Sequence, residues 1–309
     1  MKLQEALREI QSLKKKVRSL NKEIETIKTA SIEDPSRVER ILRMRGIRVF
    51  RKNPTDRLFF PPDLSPIYKT QFYEMMKKYS FRLVLRDMIK YQDRFRIQDL
   101  THYCSSKVVQ GYCDLLCEME AITKNGKGRY HTQVSSLYSF GPTLEWFIAE
   151  MFKREFASPA IYGVSVKNTP SGGDYDVIAS WNQRLVYVEV KSSPPKGVEQ
   201  SEISTFFSRI NDILPDVAFL FNDTQLRMKD KLVVMFEEEL MRRYGRESKT
   251  LYPVERLIEE LFHVQNHIFI VNSKKGVVEN FQICLKHYLQ YGLPSPSALP
   301  SGERERVRG

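Results

Sequence analysis

At 309 residues and 41% hydrophobic content the chain can build one large domain or two small ones, which excludes disorder throughout. Lys and Arg number 49 against 38 Asp and Glu, a formal charge of +11 that favours polyanionic partners, nucleic acid above all. The first residues lack the apolar core of a signal peptide and no apolar run is long enough to cross a bilayer. Cys104, Cys113, Cys117 and Cys284 are too few for a disulfide framework, so a cytoplasmic protein with no membrane partner is expected.

Leu3, Ala6, Ile10, Leu13, Val17, Leu20, Ile24 and Ile27 alternate in steps of three and four. That is the seam of a coiled coil over residues 1–30, and it predicts a homodimer. A helix packed on its own protein is the other reading of the same stripe. Residues 1–52 hold fifteen Lys or Arg against seven Asp or Glu, a net +8, so non-specific phosphate contact is expected to begin there. Residues 31–66 read as a basic helix through Val38, Ile41 and Leu42, then a linker over 53–66 with four prolines.

Residues 67–135 change grammar. Helices are predicted over 68–79, 81–91 and 106–120, followed by two short strands around Ile122 and Tyr130 with a basic, glycine-bearing turn between them. Three helices and a β-ribbon look like a winged helix-turn-helix module that binds DNA. Ser106, Lys107 and Gln110 would then face base edges, while Lys124, Lys127 and Arg129 contact phosphate. Many such modules serve only protein contacts, and Asp114, Glu118 and Glu120 on the third helix leave that alternative open. Cys113 and Cys117, one helical turn apart in an apolar stretch, fit core positions better than zinc ligands.

The chemistry is expected in residues 136–292. A helix over 142–156 carries Glu145 near its first turn, a strand spans 161–166, and a glycine pair at 172–173 marks a loop. Residues 174–181 and 184–191 then form a hairpin about a two-residue turn at Asn182 and Gln183. Counting outward from the turn sets Asp176 opposite Glu189 and Asp174 opposite Lys191, with all four on one face and Val186, Val188 and Val190 on the other. Two carboxylates held this close call for a cation between them. Mg²⁺ is the natural occupant, with Mn²⁺ as a substitute, and an adjacent lysine can orient water or stabilise phosphoryl charge. The plain alternative is an exposed hairpin face with weak ion pairs. No GxxxxGK[ST] run supports an ATPase loop.

Gly173-Asp174-Tyr175-Asp176-Val177-Ile178-Ala179, followed by Val188-Glu189-Val190-Lys191, resembles the signature of the PD-(D/E)XK nucleases, and within them the archaeal Holliday junction resolvase-like branch. The resemblance spans about residues 141–221. It implies an α/β, restriction-endonuclease-like mixed sheet flanked by helices, here behind a coiled coil and a winged helix. It also implies that Asp176, Glu189 and Glu145 hold the metal while Lys191 completes the catalytic set. The proline usual beside the aspartate is replaced by Tyr175, which leaves Asp174 as the alternative ligand. Beyond the motif a helix is predicted over 203–214, strands over 217–221 and 267–271, a helical insertion over 223–261 and a closing helix over 277–291. Residues 293–309 read as a disordered tail. The expected function is a metal-dependent DNA endonuclease acting in repair, recombination or defence. The alternative is a DNA-binding regulator or recruitment factor whose nuclease-like domain is catalytically silent.

Overall fold

The computed structural model describes residues 13–14, 16–17, 19–20, 35–91, 94–126, 128–133 and 138–293. Most of the expected coiled coil, and all of the expected tail except Leu293, lie outside the described residues. The six described positions between 13 and 20 are helical, with Leu13, Val17 and Leu20 exposed.

An eight-stranded sheet forms the centre. Its strands are β1 (Arg48–Arg51), β4 (Ala160–Lys167), β5 (Asp174–Trp181), β6 (Arg184–Lys191), β7 (Val217–Asn222), β8 (Val254–Ile258), β9 (Leu261–Val264) and β10 (Ile268–Val271). They lie in the order β1-β4-β5-β6-β7-β10-β9-β8. Only β6, β7 and β10 run parallel to one another; every other pairing is antiparallel. The central β7 reads Val-Ala-Phe-Leu-Phe-Asn and is buried at all six positions, as a strand covered on both faces must be.

Two apolar clusters cover the two faces. One draws on α1 (Pro35–Met44), α6 (Gln200–Ile213) and α7 (Val234–Tyr244). The other draws on α5 (Gly141–Glu155) and α9 (Val277–Tyr291), and on the trio α2 (Pro66–Met76), α3 (Tyr79–Tyr91) and α4 (Ser106–Glu118). The chain is thus α/β, a large mixed sheet flanked by helices. A short ribbon, β2 (Ile122–Lys124) with β3 (Tyr130–Thr132), follows α4 as the pattern predicts. Among the described residues no helix is long and apolar enough to cross a membrane.

Two expectations are corrected. The stretch 53–66 read as a linker is built into the fold: the Asn53 N–H donates to the Tyr162 carbonyl on β4, and Leu58, Phe59 and Phe60 are buried. Phe60 meets Phe72 of α2 and Trp146 of α5 with ring centroids at 4.9 and 5.0 Å, so the helical trio and the sheet share one core. The segment read as a helical insertion is helical only in its first part, through α7 and the short α8 (Ser248–Leu251). The rest is the β8–β9 hairpin, which extends the sheet.

Candidate active site

The hairpin turn works as its sequence dictates. Asn182 and Gln183 both adopt positive φ (46° and 63°), the twist that suits a two-residue connection between right-twisted strands, and Trp181 pairs with Arg184. The ladder runs regularly out to Val177 opposite Val188 and then stops. On the other side of β5 the pairing with β4 skips Gly163 and Asp176, resuming at Val164 opposite Tyr175.

Gly163 explains the gap. Its φ of +53° is costly for a side-chain-bearing residue, and a Cβ there would stand 2.7 Å from Cδ of Pro54. Alternation slips at this point on both strands. Ala160 and Tyr162 share the cluster of α5, yet Val164 and Val166 both join that of α6; likewise Val177 and Ala179 lie on one side and Tyr175 on the other. Asp176 sits at the slip, half-buried, and its Oδ2 accepts from the Val190 backbone N–H at 2.7 Å.

Acidic side chains gather at this opening from both faces. Glu189 belongs to the α6 side with Tyr187 and is only 3% exposed. Its Oε1 accepts from Lys191 Nζ at 2.9 Å and its Oε2 from Arg209 Nη1 at 2.7 Å, with the Tyr187 hydroxyl also donating to Oε2. Glu145 arrives from α5 on the opposite face and accepts from the Gly163 N–H. Burial, reinforced by the charges of Glu189 and Asp174, pushes Glu145 up to about 7. Asp176 is held well above the usual carboxylate range by burial and then by Glu189 and Glu145. Glu189 goes the other way: burial alone would raise it, but Arg209 and Lys191 outweigh that and keep it ionised. Burial would lower Lys191, yet Glu189 and Glu202 hold its pKa raised, so it stays a cation.

Asp176, Glu189, Lys191 and Glu145 are therefore brought together. Asp174 is not paired with Lys191, because the slip turns it toward β4, where the Ser165 hydroxyl donates to it. Lys191 bonds Glu202 at 2.7 Å instead. Gln200 and Ser201, at the start of α6, turn aside from the site. Gln200 donates to the Met235 carbonyl and Ser201 to Glu199, whereas Glu202 and Arg209 of the same helix reach the site.

Arg209 went unnoticed in the sequence. It is three residues after Phe206 and four before Ile213, on the buried face of α6, and that spacing was the available signal. Of the residues expected at a DNA surface, Ser106, Lys107 and Lys124 are exposed and Arg129 is half-buried, while Lys127 lies outside the described residues. Gln110 is engaged within the fold, donating to Asp114 at 2.6 Å and to the Tyr130 hydroxyl at 3.4 Å.

Among the described residues no three His, Cys, Asp or Glu side chains stand ready as a cage for a metal ion. The donor chemistry nevertheless fits a hard divalent cation. The donors are carboxylate oxygens, and five acids (Glu145, Asp174, Asp176, Glu189, Glu202) stand near two cations (Lys191, Arg209), with Asp176 and Glu145 held high by burial first and by neighbouring carboxylates second.

No protein-family model matches this chain, and no curated protein does. Among solved structures it is similar to protein VC1899 from Vibrio cholerae, with a TM-score of 0.41 and 14% identity over 62% of this chain and 53% of that one. It is also similar to Can2 from Sulfobacillus thermosulfidooxidans, solved in complex with cyclic tetra-adenylate, with a TM-score of 0.39 and 12% identity over 60% of this chain and 50% of that one. The chain spans about half the length of each.

Proposed function

We propose that this chain is a metal-dependent DNA endonuclease of the PD-(D/E)XK kind. The observation that carries the reading is the meeting of Asp176, Glu189, Glu145 and Lys191 at one gap in the sheet. Asp176, Glu189 and Glu145 would hold Mg²⁺ or Mn²⁺, which when bound supplies Lewis acidity and a nucleophilic water. Asp176 is preferred to Asp174 as a ligand because it couples to both Glu189 and Glu145, whereas Asp174 is exposed and turned toward Ser165. Lys191, kept cationic by Glu189 and Glu202, acts as a charge that steadies the pentavalent phosphate rather than as a base. The half-buried setting of the acids limits water and strengthens each of these interactions.

The helical trio with its ribbon supports a winged-helix reading in which α4 approaches the major groove, with Ser106 and Lys107 foremost. The heptad stripe supports a homodimer with two sites for two strands, and the net +11 supports DNA as the partner in the cytoplasm.

One observation favours a second reading, a DNA-bound recruitment factor with a silent site: both oxygens of Glu189 are already neutralised by Lys191 and Arg209. A panel of labelled linear, branched and single-stranded DNAs, incubated with Mg²⁺ and with EDTA, separates the two. Cleavage of one class, lost on chelation and in the Asp176→Ala/Glu189→Ala/Lys191→Ala variant, establishes the enzyme. Binding without cleavage in every arm establishes the silent module.

A further inference from the structure

We propose that α1 and β1 form a binding track for single-stranded polynucleotide beside the sheet gap. The segment 37–52 carries seven basic residues against the single acid Glu39. Val38 and Leu42 turn inward, which leaves Arg37, Arg40 and Arg43 exposed on α1. After the turn at Gly46, Arg48 is exposed on β1 and lines one concavity with Arg43. These four arginines form no ion pair among the described residues, so their charge is available to phosphate.

An aromatic accompanies them. Phe50 is 61% exposed on the edge strand, and Lys167 Nζ lies 5.6 Å from its ring centroid. An exposed ring beside exposed arginines suits an unpaired base stacked above it and a backbone held alongside. A duplex offers no free base face to that ring. Position favours the same occupant. Arg51 stands opposite Ser165, and Ser165 opposite Asp174, so β1 is two strand spacings, about 10 Å, from the acidic cluster. A strand crossing the gap would run onto this track. The binding claim itself holds whether or not the site cuts.

The test is anisotropy titration of labelled (dT)20, (rU)20 and a 20-base-pair duplex against the full chain in EDTA, across a salt series. Arg40→Glu/Arg43→Glu/Arg48→Glu is expected to weaken (dT)20 binding at least 10-fold and to reduce the magnitude of the log–log salt slope by about 2, as the loss of three phosphate contacts requires. Phe50→Ala is expected to weaken (dT)20 about 5-fold or more while leaving duplex affinity unchanged. Tighter binding of (rU)20 than (dT)20 would identify the strand as RNA. Because the titrations are run in EDTA and read binding alone, a failed active-site assignment leaves this result standing. Unchanged affinity and slope in variants whose circular dichroism matches the parent would overturn the track. So would loss of binding to phosphatidylserine vesicles with (dT)20 binding intact, since the patch would then serve a membrane.

Discussion

Arg82 of α3 and Asp223, the residue after β7, clasp each other across 141 positions of sequence. Arg82 Nε and Nη2 donate to the carboxylate at 2.8–3.0 Å, and both side chains are almost wholly buried. Arg86 and the Ser273 hydroxyl donate to the same carboxylate, and the Asp223 N–H bonds the Lys191 carbonyl. Burial alone would raise Asp223, but the two arginines outweigh it and hold it ionised. The helical trio is thereby tied to the end of the strand that carries Glu189 and Lys191. Arg82→Ala should cost about 3–5 kcal/mol by leaving a buried carboxylate with too little compensation. Urea unfolding checks this, and the Arg82→Met/Asp223→Leu double variant should recover much of the loss.

Gly163 is expected to tolerate no side chain. Gly163→Ala meets both the positive φ and the Pro54 ring, and should destabilise the fold by about 1–3 kcal/mol. Because Glu145 accepts from this N–H, the variant should also weaken divalent-ion binding measured by calorimetry.

Stability should fall as pH rises through neutrality in EDTA. Glu145 titrates at about 7 in the folded chain against an ordinary 4.5, and Asp176 is displaced in the same direction. A carboxyl raised by folding lends stability that is complete below its unfolded pKa and is lost as pH climbs through the folded value. Between pH 5 and 8 Glu145→Gln should remove about 2 kcal/mol of that slope, read from Tm at successive pH values. Glu189 and Asp223, both held low, act in the opposite sense and only in stronger acid.

Mg²⁺ or Mn²⁺ should reverse that loss. At a concentration 100-fold above Kd the ion should add about 2.7 kcal/mol, seen as a rise in Tm that EDTA abolishes and that Asp176→Asn lacks. A Tm indifferent to both ions at pH 8 would count against the metal assignment.

Lys191→Ala should lower DNA cleavage on the order of 10²–10³-fold with little change in DNA affinity, since it removes a charge that acts on the reacting phosphate. Single-turnover assays on the cleaved member of the DNA panel provide the check.

The hairpin could be read from sequence because Asn182-Gln183 is a two-residue turn, and such a turn fixes every pairing out to Val177 and Val188. The closing helix was equally legible, since its apolar positions repeat at helical spacing over Val277–Tyr291. Asp174 was misplaced because strict alternation was carried past a slip that Gly163 imposes from the neighbouring strand. The β8–β9 hairpin was hidden by its charges: Glu255, Arg256, Glu259 and Glu260 look like a solvated helix face, whereas the apolar run Leu261–Val264 adds to the sheet edge. Arg209 and Arg82 escaped notice for a shared reason. Each is a basic residue within a helix, and the partner that gives it meaning is supplied by tertiary contact.

The meeting of Phe60, Phe72 and Trp146 bears on how this molecule can be engineered. Splitting the gene between Gln133 and Gly141 would strip aromatic rings from both halves, and neither fragment would dissolve well alone. A chimera that exchanges the helical trio for another must therefore carry those rings, and Arg82, across the graft.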